Sequence, residues 1–150
     1  ITNGILFINK WRWIMYTIIL ASHKNLAKGM KETVEYILGP APFIKVMTAY
    51  TDDNYDIEKD TNILLDGTDK VLVITDLLGG SVNNHWMNYV YEKKLTKKIT
   101  VIAGMTLSLI MELSMNIEDY KLREKISMII AESQKSIINC SELMEVEDND

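Results

Sequence analysis

Short aliphatic runs alternate along this chain with longer segments in which apolar residues recur every three or four positions. Tyr16-Thr-Ile-Ile-Leu-Ala21 is such a run, and it reads as a strand buried in a sheet. It stops at Ser22-His23-Lys24, after which Leu26, Ala27, Met30, Val34, Ile37 and Leu38 form one helical stripe, with Lys28, Lys31, Glu32 and Glu35 opposite. Asn25 is the expected cap of that helix and Gly39-Pro40 its end, the glycine taking a left-handed position past the last turn. Phe43 to Tyr50, rich in β-branched and aromatic residues, predicts a second strand. Between Asp53 and Leu65 only Ile57, Leu64 and Leu65 supply an apolar face, so a weak helix is expected there, closed by Asp66-Gly67.

Lys70-Val-Leu-Val-Ile-Thr-Asp76 is the clearest strand, and its unbroken aliphatic character predicts a central place in a parallel sheet. Leu77-Leu78-Gly79-Gly80-Ser81 then turns the chain into a helix reaching about Lys93, with Ser81 as its cap and Val82, Trp86, Tyr89 and Val90 inward. Ile99 to Ala103 predicts a fourth strand. A short helix from about Leu107 to Ser114 and a long one from about Glu118 to Ile138 follow, the second with a stripe of Leu122, Ile126, Ile129, Ile130 and Ile137.

Strands alternating with helices at these lengths predict a doubly wound α/β fold, a mainly parallel open sheet with helices on both faces. At 150 residues the chain is one domain by length, taken to run over residues 15–140. Residues 1–14 carry Trp11 and Trp13 with Lys10 and Arg12 but no clear period. They read as an extension or an expression-derived segment ahead of a native start at Met15, the alternative being an interfacial anchor built on the tryptophans and basic residues. Residues 141–150 form an acidic tail in which Glu142 to Val146 could be a short edge strand, fraying or exchanged in a dimer.

Composition narrows the class. With 47% hydrophobic and 25% charged residues the chain is an ordinary globule, and a net charge of −5 supplies no basic field for nucleic acid or an anionic membrane. Cys140 stands alone, so no disulfide framework or cysteine metal site is expected, and a reducing, cytoplasmic setting is the default. No apolar run approaches the ~20 residues that span a bilayer, so no membrane insertion is expected. No metal or cofactor is called for.

The candidate chemistry lies at two strand ends. His23 ends the first strand and Asp76 the third, and neighbouring strands sit about 5 Å apart, so adjacency would bring the two side chains together. A carboxylate on one ring nitrogen fixes the tautomer and leaves the other nitrogen's lone pair free as a nucleophile. Gly79-Gly80-Ser81 adds backbone N–H groups at a helix start, suited to phosphate oxygens, so the constellation predicts a histidine that accepts a phosphoryl group. His85, inside a predicted helix, reads as a surface or partly packed side chain, Trp86 as core, and Cys140 as an inert small residue.

At these residues the chain resembles the mannose-family enzyme IIA domains of the bacterial phosphoenolpyruvate-dependent sugar phosphotransferase system. The resemblance covers about Met15 to Ile138. It rests on Ile18-Ile-Leu-Ala-Ser-His23 with its helix, on Val71-Leu-Val-Ile-Thr-Asp76-Leu-Leu-Gly-Gly-Ser81, and more loosely on Val101-Ile-Ala-Gly-Met105. It implies a cytoplasmic homodimer in which His23 takes phosphate from the phosphocarrier HPr and passes it to an enzyme IIB, with Asp76 orienting the ring. Gly79, Gly80 and Ser81, with Lys24 beside the histidine, are the expected phosphate contacts. Three departures stand out: Lys24 where the family usually has glycine, Val82-Asn83-Asn84 where it usually has Pro-Phe-Asn, and Gly104-Met105-Thr106 where it often has Gly-Val-Asn. Lys24 could attract phosphate or obstruct a partner. Two other readings stay open: a phosphotransfer subunit of a dihydroxyacetone kinase, and a non-catalytic regulatory module on a flavodoxin-like scaffold.

Overall fold

The computed structural model describes residues 16–147, so the expectations for residues 1–14 and for Met15 lie outside the described residues. The elements run β1 (Thr17–His23), α1 (Leu26–Leu38), β2 (Ile44–Ala49), α2 (Ile57–Leu65), β3 (Val71–Thr75), α3 (Ser81–Glu92), β4 (Ile99–Ala103), α4 (Leu107–Met115), α5 (Leu122–Gln134) and α6 (Cys140–Glu147). The four strands form one all-parallel sheet in the order β2-β1-β3-β4. This is the doubly wound architecture that the alternation of patterns predicts.

Pleating divides the core. Ile18 and Leu20 of β1, with Leu72 and Ile74 of β3, face a layer built from α1, α4 and α5, where Val34, Ile110, Leu113 and Leu122 are fully buried. Ile19 and Ala21, with Val71 and Val73, face the opposite layer, where Leu64 of α2 and Val82, Trp86 and Val90 of α3 pack. Every residue of β3 is buried, which is why its sequence is aliphatic without alternation. The order of strands reverses between β1 and β3: the chain leaves β1 for β2 on one side and leaves β3 for β4 on the other. Loops after those two strands diverge over opposite faces and open a crevice at the carboxyl edge of the sheet.

Several local expectations are corrected. Asn25 stands at the start of α1 but makes no side-chain cap; the Ser22 hydroxyl, reaching over from the strand end, accepts from the Ala27 N–H at 2.8 Å instead. Gly39 does have positive φ (91°), but with ψ near −177° its backbone leaves the helix extended. Gly80 holds the cap position of α3 and Ser81 is its first helical residue. Ile137 does not continue the stripe of α5: the helix ends at Gln134, Ser133 is buried in its last turn, and Ile137 is 74% exposed.

The tail is helical, not a strand. Asn139 accepts from the Ser141 N–H at 3.1 Å and donates to Glu142 at 3.0 Å, closing a box at the amino end of α6. Glu, Leu and Met are good helix formers, and among the described residues no strand pairs with this segment.

Candidate phosphoryl-acceptor site

The last residue of β1 and the first after β3 meet at the crevice. His23 Nδ1 and Asp76 Oδ2 are 2.8 Å apart, and the same carboxylate oxygen accepts from the His23 backbone N–H, also at 2.8 Å. The other oxygen accepts from the Leu77 N–H at 2.9 Å. Burial alone would push the Asp76 carboxyl up, but the hydrogen bonds from His23 and Leu77 hold it below the ordinary carboxylate range. Asp76 is therefore an anion with three N–H donors, and the ring proton belongs on Nδ1, leaving the lone pair on Nε2. The side chain of His23 is 40% exposed against 11% for Asp76, so the ring opens to solvent and its partner does not.

Nε2 faces the Ser81 hydroxyl at 3.0 Å. With Nδ1 protonated, that hydroxyl is the donor. A side chain at Gly80 would be tight, since a Cβ would stand 3.2 Å from the Leu77 carbonyl oxygen and 3.3 Å from His23 Cε1, and those neighbours would have to give by a few tenths of an ångström.

A buried amide holds the loop. Thr75 and Asn83 are buried; Asn83 donates to the Thr75 hydroxyl at 2.9 Å and accepts from the Gly79 N–H at 3.1 Å, while Asn84 donates to the Gly79 carbonyl at 3.1 Å. Gly79 sits at φ 75°, a conformation that favours glycine. The Gly-Gly N–H groups expected to cradle phosphate are thus spent inside the protein, Gly79 on Asn83 and Gly80 on the Leu77 carbonyl at 3.1 Å. The first α3 bond to a backbone carbonyl runs from the Asn84 N–H to Gly80, so the donors free to face an anion belong to the first turn of α3, starting at Ser81. Asn83 was not singled out by sequence; an asparagine on the apolar face of a helix, three residues past a Gly-Gly turn, is the signal that points to it.

Lys24 is brought to the same edge but not to the ring nitrogen. Its backbone is left-handed (φ 54°), which accounts for a preference for glycine at this position, and its ammonium donates to the Tyr50 carbonyl. Tyr50, just past β2, puts its ring centroid 5.8 Å from that of His23. It too went unnoticed in the sequence, although the β1–β2 register that pairs His23 with Ala49 leads straight to it.

His85 lies away from this cluster, on α3 against α2. The Thr61 hydroxyl donates to the Ile57 carbonyl at 2.8 Å, so it accepts from His85 Nε2, also at 2.8 Å, and Nδ1 faces Glu58 at 3.5 Å. Desolvation lowers the pKa of His85 against the raising influence of Glu58. It is a partly packed side chain, as expected. Cys140 is exposed at the start of α6. Among the described residues no group of three or more His, Cys, Asp or Glu could hold a metal ion, and no helix is long and apolar enough to cross a membrane.

A protein of Lacticaseibacillus casei, the sorbose-specific EIIA component of a PTS system, is 28% identical over 130 residues, covering 85% of this chain and 92% of its own length. A solved structure from Klebsiella pneumoniae, assigned provisionally as a phosphoenolpyruvate-dependent sugar phosphotransferase system permease, superposes with a TM-score of 0.77 at 27% identity, covering 87% of this chain and 95% of its own. The phosphotransferase system component EIIA of Streptococcus agalactiae gives a TM-score of 0.69 at 27% identity, covering 85% and 99%. The pattern of the family described as PTS system fructose IIA component, the mannose-type EIIA family, matches residues 17–130. A chain matched over that span, with a histidine and a carboxylate joined at the switch point of its sheet, belongs to the mannose-family enzyme IIA components of the sugar phosphotransferase system.

Proposed function

We propose that this IIA chain is a phosphoryl carrier: His23 Nε2 accepts phosphate from phospho-HPr and passes it to an enzyme IIB component during sugar uptake, in the cytoplasm. The observation that carries the reading is the 2.8 Å contact between His23 Nδ1 and Asp76, with Nε2 on the open side of the ring. Asp76 keeps the proton on Nδ1, so the in-plane lone pair of Nε2 is available to phosphorus. As the phosphorus–nitrogen bond forms and the bond to the donor's leaving group breaks, the ring becomes cationic and the neighbouring carboxylate favours that charge. Ser81 has to turn its hydroxyl away from Nε2 first. Once turned, the hydroxyl and the first-turn N–H groups of α3 are suited to the phosphoryl oxygens, offsetting their repulsion by Asp76. Lys24 contributes to this edge through Tyr50.

The test is incubation with phosphoenolpyruvate, enzyme I and HPr, followed by mass spectrometry under neutral conditions. Acid-labile phosphate on His23 is the expected result, and equal labelling of His23→Ala would overturn the assignment. The carrier is further inferred to act as a homodimer, a reading supported by the exposed apolar side chains of Ile137, Ile138, Leu143 and Met144 at the carboxyl end. Light scattering should give twice the 17.2 kDa chain mass. A monomer at tens of micromolar would remove that part.

A further inference from the structure

At the outer end of the β1–β2 pair two residues other than glycine hold left-handed backbones, Lys24 (φ 54°) and Tyr50 (φ 63°). Each such conformation is costly for a residue with a side chain, and costs of this kind persist where surrounding contacts over-determine them. Here they do. The Lys24 N–H donates to the Ala49 carbonyl at 2.8 Å and the Lys24 ammonium to the Tyr50 carbonyl, so the two strand ends are tied twice. The Tyr50 ring is held by an edge contact with Tyr55 (centroids 5.6 Å apart, planes at 70°), whose hydroxyl donates to Asp60 of α2 at 2.7 Å. The Tyr50 ring centroid also stands 5.8 Å from that of His23, the two planes inclined at 40°.

We propose that Tyr50 is a positioning residue for phosphotransfer: held by Lys24 and Tyr55, its ring backs the His23 imidazole and supports the cationic form of that ring. The inference rests on the phosphocarrier reading above. While the donor's phosphorus–oxygen or phosphorus–nitrogen bond breaks and the bond to Nε2 forms, the Nδ1 proton stays shared with Asp76, so the imidazole carries a positive charge that an aromatic ring within about 6 Å stabilises. The same stabilisation makes the phosphorylated ring a poorer leaving group towards water, the attack of which breaks the phosphorus–nitrogen bond, releases inorganic phosphate and restores the lone pair. It needs the aromatic ring and not the tyrosine hydroxyl.

The experiment measures transfer from phospho-HPr by rapid quench at saturating donor, and the half-life of the isolated phosphorylated chain, for wild type, Tyr50→Phe and Tyr50→Leu. Tyr50→Leu should lower the saturated rate by roughly two- to thirtyfold and shorten the half-life in the same sense, the span expected for one cation–ring contact. Tyr50→Phe should restore both to within about twofold of wild type. Lys24→Met keeps the ring but unties it, so it should move both readouts in the same direction by a smaller factor, and it serves if Tyr50→Leu does not fold. Wild-type behaviour of Tyr50→Leu, an effect confined to KM, or a Tyr50→Phe variant as impaired as Tyr50→Leu would each overturn the role of the ring while leaving the carrier reading intact. Absence of phosphate from His23 in the wild type would overturn both.

Discussion

Replacing Asp76 separates the orienting and the electrostatic work asked of it. The carboxylate accepts three N–H groups, from the His23 ring, the His23 backbone and Leu77, and it is largely shielded from solvent. Hydrogen bonds to a charged group contribute about 1.5 to 3 kcal/mol each, against about 0.5 to 1.5 for neutral ones. Asp76→Ala removes the acceptor, leaves two backbone donors to whatever water can reach them, and should destabilise the fold by about 1 to 3 kcal/mol. It also frees the His23 tautomer and withdraws the negative charge beside the ring as phosphorus arrives, so transfer should slow by on the order of a hundredfold or more. Asp76→Asn can keep its oxygen towards His23, but its amide then points N–H at the Leu77 N–H; it loses the charge, keeps part of the orientation, and should fall between alanine and wild type. Single-turnover transfer from phospho-HPr, with circular dichroism to confirm folding, reads both effects. The pH profile adds a check of sign: the Asp76 carboxyl is held below its unfolded value, so its contribution to stability is present above the ordinary carboxylate range and is lost as pH falls through the folded value. The acid limb of the wild-type stability curve should flatten in Asp76→Asn. A folded Asp76→Ala chain that transfers phosphate at the wild-type rate would refute the reasoning, because His23 would then act without its neighbour.

Other expected outcomes follow from contacts around the site. Asn83→Ala should lower stability by about 1 to 3 kcal/mol by removing the donor to the Thr75 hydroxyl and leaving the Gly79 N–H without its acceptor; urea denaturation measures it, and because Asn83 braces the loop between Asp76 and Ser81, the transfer rate should fall as well. Gly80→Ala puts a methyl against the Leu77 carbonyl and the His23 ring, so transfer should drop with little change in circular dichroism; an unaffected rate would mean the ring moves aside freely. His85 has a lowered folded pKa, so its contribution to stability is present above the unfolded value near 6.5 and lost as pH falls from there through the folded value; His85→Gln should remove that component from the stability curve below pH 6.5 without affecting phosphorylation of His23.

The order of elements from β1 to α5 and the central strand were readable in the sequence because each depends on local periodicity: β3 is aliphatic because both its faces are covered, and α1 is striped because one of its faces is. His23 and Asp76 could be nominated from their places at strand ends. Their meeting could not, since nothing local to either strand states that β1 and β3 are neighbours, and the contact exists only because the sheet orders itself β2-β1-β3-β4. The same limit explains the misread details. Gly79 and Gly80 advertise free N–H groups in sequence, but the packing of α3 against the sheet brings Asn83 and the Leu77 carbonyl to them first. Residues 142–146 read as a possible edge strand, but among the described residues no strand pairs with them, and the capping at Asn139 and the helix propensity of Glu, Leu and Met make them helical. Tyr50 becomes visible as a neighbour of His23 only when the β1–β2 register is known. Periodicity is set within a few residues and survives in one dimension; strand order, register and the assignment of each polar group to a partner depend on which distant segments share space, and only the folded chain decides that.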